Sequence, residues 1–203
     1  MNSSSSSHTK RKYRMSARAD ATSETGERLL AAAWEQFATR PYEEVRLREI
    51  AAEAGVSAQT LHLRCGSKDQ LFTAAFMWFG QREMLRRAEA PVGDLRVAVG
   101  ILFDRYEAHG TTVLRLLSQE ERIPAIRQMT DAGRAYHRDW AARTFKPLLR
   151  GLQAGPRKRR LAAIVIATDL LAWKLLRIDM GLDRDGAEGV VVEMLESLRR
   201  PAR

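Results

Sequence analysis

The sequence predicts an all-α chain in two parts, a small N-terminal domain of three helices followed by a larger helical domain. Three observations carry that expectation. Apolar residues recur at helical spacing from about residue 25 to the C-terminus. No stretch sustains the period-two alternation of a half-buried strand. Glycine and proline fall mostly between the periodic segments.

A first helix is expected over residues 25–38, with Leu29, Leu30, Ala33, Trp34 and Phe37 on one face and Pro41 and Tyr42 beyond its end. A short helix, 47–54, stops at Gly55, which suits the left-handed turn after a helix end. Ser57 is a good N-cap for the next, 58–64. Gly66 ends that one, and Ser67 caps a long helix, 68–87. Beyond Pro91 and Gly93 the pattern gives helices at 95–109, 112–119, 123–130, 133–152, 157–178 and 187–198, with GPRKRR (155–160) as a break before the last pair. The organisation is a basic arm at 1–20, a domain at 21–67 and a larger domain at 68–203.

At 203 residues the chain can bury one substantial core or two small ones. No apolar run is long enough to span a membrane; the closest, 161–176, carries Thr168, Asp169 and Lys174. The first twenty residues have no apolar segment behind their basic ones, so they do not form a secretory signal, and a cytoplasmic location is expected. One cysteine excludes an internal disulfide and a sulfur-rich metal site. The histidines are scattered, with no paired nucleophile and base, no Gly-rich phosphate loop and no metal spacing. Neither an enzyme nor a cofactor is expected.

The formal charge of +9 is unevenly spread. Residues 1–18 contribute +5, residues 19–90 contribute −2 and residues 91–203 contribute +6. If the N-terminal domain binds nucleic acid, local arrangement rather than bulk charge must do it. Lys10, Arg11, Lys12 and Arg14 form either an arm along DNA or a solvated leader.

Residues 47–65 hold the most informative pattern. Two short helices that cross steeply need a small residue at the contact, which Ala51 supplies, and a turn, which Gly55 supplies. Ile50, Val56 and Leu61 can share the apolar contact. Ser57, Ala58, Gln59, Thr60, His62, Leu63 and Arg64 then project outward, as a helix entering a DNA major groove requires. Arg46 and Lys68 are placed to meet phosphates. Spacing alone equally allows a plain corner between two helices.

The stretch EQFATRPYEEVRLREIAAEAGVSAQTLHLRCGSKDQLFTAAF resembles the N-terminal signature of TetR-type (TetR/AcrR) bacterial transcriptional regulators, through Phe37, Tyr42, Ile50, Ala51, Ala54, Gly55, Val56, Ser57, Thr60, Leu61, Gly66, Ser67, Lys68 and Leu71. The resemblance implies a helix-turn-helix DNA-binding domain, a C-terminal helical ligand-binding and dimerisation domain, and a homodimer released from a near-palindromic operator by a small molecule. Base readout would fall to Gln59 and Thr60, with Arg64 in reach.

Five positions depart from that pattern. Pro41 stands where glycine is usual, and Val45 and Arg46 replace the hydroxyl pair that opens the second helix, with Glu43 or Glu44 able to offset the lost cap. His62 replaces a tyrosine that touches the DNA backbone. Cys65 replaces a phenylalanine, leaving space for Trp34 or Phe72 to fill. The thiol is open to two readings, a redox-active thiolate beside Arg64 and Lys68 or a small buried hydrophobe.

In the C-terminal domain Phe76, Phe79, Phe103, Tyr106, His109, Val113, Leu117, Tyr136 and Trp140 fit either an ordinary core or the wall of a pocket. Such a pocket suits an apolar or aromatic effector. The 157–178 segment is apolar on nearly all sides, so a partner subunit is expected to cover part of it. Ile164, Ala167, Leu171 and Leu175, with Val191, Met194, Leu195 and Leu198 of the last helix, form the expected dimer interface.

Overall fold

The computed structural model describes residues 24–199. All regular structure among these residues is helical. In order they are α1 (24–39), a 3-10 turn (Tyr42–Glu44), α2 (Leu47–Glu53), α3 (Ala58–Cys65), α4 (Lys68–Ala88), α5 (Leu95–Leu117), α6 (Pro124–Thr144), a second 3-10 turn (Lys146–Leu149), α7 (Ala154–Ala167), α8 (Leu170–Lys174) with a π-helical turn (Leu175–Asp179), and α9 (Arg184–Ser197). Among the described residues no helix is long and apolar enough to cross a membrane. Two compact units divide between Phe79 and Gly80, within α4.

The core of the first unit is aromatic. Phe37, Phe72 and Leu71 are almost fully buried beside Leu29, Ile50 and Leu61. The ring of Phe72 meets Phe37 edge-on at 5.1 Å and Tyr42 at 5.5 Å. These contacts tie α1, the first 3-10 turn and α4 together around α2 and α3. In the second unit α5 packs against α6, α8 and α9, and α6 against α7. Leu102, Phe103, Trp140, Phe145, Ile164, Trp173, Val191 and Leu195 fill the space between them.

Several boundaries differ from the sequence expectation. The expected helices 95–109 and 112–119 are one helix, α5, because Gly110 is not a breaker. It lies under Trp173, where an added Cβ would come within 2.5 Å of the ring, so glycine serves a close approach there. The expected helices 123–130 and 133–152 also join, as α6 up to Thr144, and Arg134 pairs with Asp131 at 2.8 Å across the expected gap. α6 stops at Thr144 because Pro147 has no N–H to continue the α-helical ladder and its ring crowds the carbonyl four residues back, so a 3-10 turn follows. GPRKRR is the opening of α7 rather than a break. Pro156 sits in the first turn, where a helix has no use for its missing N–H.

The expected 157–178 helix is interrupted. Thr168 turns its hydroxyl back to the Ile164 carbonyl at 2.7 Å, and Asp169 accepts from the Leu171 amide at 2.9 Å, capping a new helix. The apolar run is therefore divided between α7 and α8. The last helix begins earlier than 187, where Asp183 caps it by accepting from the Gly186 amide at 2.8 Å.

Candidate nucleic-acid interface

α2 opens at Arg46 in extended geometry (φ −110°, ψ 125°) with no side-chain cap, as the missing hydroxyl predicts. The acidic residue in its first turn is Glu49, not Glu43 or Glu44. Arg40, just past α1, reaches Glu49 at 2.5 Å, Gln36 Oε1 at 2.9 Å and the Glu44 carbonyl at 3.0 Å. One guanidinium thus joins α1, the 3-10 turn and α2, and the Arg40 bond holds the Glu49 carboxyl below its usual range. This clamp carried no motif signal in the sequence.

The turn itself follows from Gly55, at φ 69°. Its amide donates to Ala52 at 3.1 Å, and the next amide, Val56, donates to Ala51 at 2.9 Å. Ala51 and Ala54 are buried at the crossing, as is Leu61, the one fully enclosed side chain of α3. Val56 is only half-buried. Ser57 caps α3, its hydroxyl accepting from the Thr60 amide at 3.1 Å. At the other end Gly66, at φ 67°, passes the chain to a reciprocal pair. Gln70 donates its amide to the Ser67 hydroxyl at 3.2 Å, and Ser67 donates its own to Gln70 Oε1 at 2.8 Å. That is a capping box, which fixes the start of α4 relative to α3.

Of the residues expected to face DNA, Arg46, Ser57, Ala58, Gln59, His62, Leu63 and Arg64 are exposed. Leu63 is the extreme, at 77%. Thr60 differs: it is half-buried, and its hydroxyl lies 2.9 Å from that of Ser57. The capping geometry therefore claims the group that base readout would use. Lys68 is half-buried, 4.5 Å above the Tyr42 ring, with its ammonium donating to the Glu43 carbonyl at 3.4 Å. Tyr42 in turn donates its hydroxyl to Asp69. Burial and the neighbouring Arg46 charge both pull the Lys68 pKa down. Arg46 also lines a shallow recess of about 430 Å³ with Leu47 and Arg48. Lys10, Arg11, Lys12 and Arg14 lie outside the described residues.

Residues 29–75, which span these elements, match the family model described as bacterial regulatory proteins, tetR family. The N-terminal domain is that of the TetR family. No curated protein matches the chain, but its fold recurs in solved structures. A transcriptional regulator from Rhodococcus sp. Rha1 is 20% identical, with a TM-score of 0.65 over 85% of this chain and 94% of its own. A tetR-family transcriptional regulator from Streptomyces coelicolor gives the same identity and TM-score over 85% of this chain and 81% of its own. A third, a transcriptional regulator from Saccharomonospora viridis in complex with choline, is 23% identical with a TM-score of 0.57, covering 86% and 96%. The N-terminal domain is thus a TetR-type helix-turn-helix, and over 85% of the chain the fold is shared with solved transcriptional regulators.

Within the TetR domain Cys65 sits differently from expectation. Neither Trp34 nor Phe72 fills the space beside it. Trp34 stacks on Phe79 at 3.5 Å and meets Phe76 at 4.8 Å, while Phe72 is held among Phe37, Tyr42 and Phe76. The space remains as an open cleft of about 680 Å³ lined by Gly26, Leu29, Leu30, Arg64, Cys65, Gly66, Gln70 and Ala74. Burial pushes the Cys65 thiol up, outweighing Arg64, so the thiolate is disfavoured.

Phe76 and Phe79 accordingly cover Trp34 in the TetR domain rather than lining a pocket in the second unit. Of the other expected pocket residues, Phe103, Tyr106 and Trp140 are buried in the second unit, and His109, Val113, Leu117 and Tyr136 are half-buried there. Three of them gather round a polar cluster that apolar periodicity did not reveal. Arg87 donates to His137 Nδ1 at 2.8 Å, and His137 Nε2 lies 3.2 Å from the Thr168 hydroxyl. Tyr106 donates to the Thr168 carbonyl at 2.8 Å, and Trp140 to the Arg87 carbonyl at 2.9 Å. Tyr136 and Trp140 place their rings 5.2 and 4.3 Å from the guanidinium carbon. Burial, then the Arg87 charge, holds His137 down at about 4.

The expected interface residues divide. Ile164, Ala167, Val191 and Leu195 are at most 2% exposed, covered by their own unit, and Leu198 is half-buried. The first pair lies on the buried face of α7. Leu171, Leu175 and Met194 remain outside at 57, 53 and 43% exposure, joined by Ile166, Ile178 and Met180.

Proposed function

We propose that this regulator is a ligand-responsive repressor that binds a near-palindromic operator as a homodimer and leaves it when a small molecule binds the second unit. The observation that carries the reading is the division of α3, with Leu61 buried and Gln59, His62 and Leu63 presented outward. A helix so divided can lie in a major groove about 12 Å wide while the domain core holds it from behind. Gln59 is the side chain suited to base edges, and Ser57, His62, Arg64, Arg46 and Lys68 are suited to phosphates.

The exposed apolar side chains of α7, α8 and α9 support dimerisation, because a water-exposed group of that kind is stabilised by a matching surface. The complex of a similar fold with choline supports a small-molecule effector. Selection of bound sites from random double-stranded DNA, at two salt concentrations, tests the reading. A recovered inverted repeat is the expected result. Salt-sensitive binding without sequence preference would point instead to a helical small-molecule-binding protein whose helix-turn-helix no longer reads DNA.

A further inference from the structure

We propose that the effector is a planar organic carboxylate that enters beside Arg87 and accepts the hydrogen bond its Nε–H does not make in the chain itself. The inference rests on the effector role proposed for the second unit and narrows its chemistry.

Arg87 is 5% exposed, and its Nε is enclosed with no hydrogen-bond partner among the described residues. Buried guanidinium groups are ordinarily matched by a carboxylate. Here the near carboxylate, Glu83, pairs with Arg105 at 3.6 Å. No carboxylate is therefore hydrogen-bonded to the Arg87 guanidinium among the described residues.

His137 cannot take the place of one. Its Nδ1 accepts from Arg87, so its proton is on Nε2, directed at the Thr168 hydroxyl, which passes its own to Ile164. The relay points every donor away from Arg87 and keeps the imidazole neutral. Arg87 itself, though burial lowers it to about 10, stays charged at neutral pH.

One N–H without a partner calls for one strong acceptor, which a carboxylate oxygen supplies. The shape of the walls narrows the choice further. The indole of Trp140 lies 4.3 Å from the guanidinium carbon and the phenol of Tyr136 5.2 Å from it. Two aromatic rings this close to the guanidinium suit a flat acid bonded to it. Tyr136 and Arg105, both half-buried, form the outward side of the cluster. A cation such as choline would meet the like charge of Arg87 there.

The test uses the full chain, titrated with benzoate, benzyl alcohol, benzylamine and choline, with binding read by calorimetry and by shift of the melting temperature. Benzoate is expected to bind at least about tenfold more tightly than benzyl alcohol, with no response to either cation. Arg87→Leu, packed against the same rings, should keep the fold and lose the benzoate response. Arg87→Lys keeps the charge without the Nε–H and should lose it at least about tenfold, which covers a leucine variant that does not fold. No benzoate response, equal binding of benzyl alcohol, or a response that survives both variants would overturn the proposal. Release of operator DNA separates the two readings. Benzoate bound through Arg87 without release would overturn the effector role and keep the site. Release by choline or benzyl alcohol but not by benzoate would do the reverse.

Discussion

Arg87 and Trp140 hold each other twice: the guanidinium carbon stands 4.3 Å from the indole ring, and the indole N–H donates to the Arg87 carbonyl at 2.9 Å. Side chain and backbone of one residue are thus bound to two parts of the other. The pairing fixes the last turn of α4 to the C-terminal end of α6 within the second unit. Trp140→Phe keeps a ring for the cation but loses the donor and some of the π surface. A loss of about 1–2 kcal/mol is expected in urea unfolding. A loss within error would mean the indole contributes only bulk.

His137 gives the cluster a pH signature. Its folded value, about 4, lies below the usual histidine value of 6.5. The unfolded chain therefore takes up a proton that the folded chain refuses as pH drops through the interval between them. Stability from this group is full above the unfolded value and falls as pH goes from about 6.5 toward 4, by about 3 kcal/mol in all. Wild type and His137→Gln, unfolded in urea at pH 7 and pH 5, should differ in slope, with the steeper loss in wild type. Parallel losses would contradict the assignment.

How much of this was legible in the sequence differs between the two units. In the TetR domain local chemistry decides the backbone. Gly55 and Gly66 take the left-handed turns, and Ser57 and Ser67 take the caps. Each signal lies within a few residues of the bond it makes, so motif and structure agree. In the second unit the deciding partners are far apart in the chain. Gly110 looks like a helix end until Trp173, 63 residues later, is seen packed on it. Arg87 and His137, 50 residues apart, look like surface groups by type, since nothing local says that a charged side chain will be enclosed. Ile164 and Leu171 both belong to one apolar run, yet the helices on either side of the turn at Thr168 each have their own buried face. Ile164 and Ala167 lie inside and Ile166 outside before it, and Leu170 and Trp173 lie inside and Leu171 outside after it.

Gln59 and Ser57 should fail differently. Gln59→Ala leaves the helix intact and removes a side chain able to make two bonds to an adenine edge, so specificity should relax at one base position per half-site by about 1–3 kcal/mol. Ser57→Ala removes the α3 cap and should cost about 1 kcal/mol of stability while weakening all operators alike. Binding to a panel of single-base operator variants distinguishes them. An unaltered base preference in Gln59→Ala would remove that residue from base readout.

The cleft beside Cys65 should accept a larger side chain. Cys65→Phe would place a ring against Leu29, Leu30 and Ala74, adding about 1–2 kcal/mol through buried apolar area. A raised melting temperature with DNA affinity retained is expected; a lowered one would show that the cleft walls resist the ring. Wild-type Cys65 should also react more slowly with iodoacetamide at pH 7 than an unfolded control, because burial raises its thiol.

Leu171 and Leu175 provide the test of the dimer. Both are more than half exposed, so replacing them with glutamate leaves the core of the second unit untouched. At a subunit interface the same change buries two carboxylates without partners, a cost that favours dissociation. The double variant, Leu171→Glu with Leu175→Glu, should keep its helical circular dichroism and its melting transition. Its mass in analytical ultracentrifugation should fall from that of two chains to that of one. Affinity for a full operator should drop toward that for a half-site, since the second domain no longer binds as part of the same particle. Wild type sedimenting as a single chain at micromolar concentration would place the exposed apolar residues of α8 outside any dimer interface. A variant that still sediments as two chains would put the contact elsewhere on the second unit.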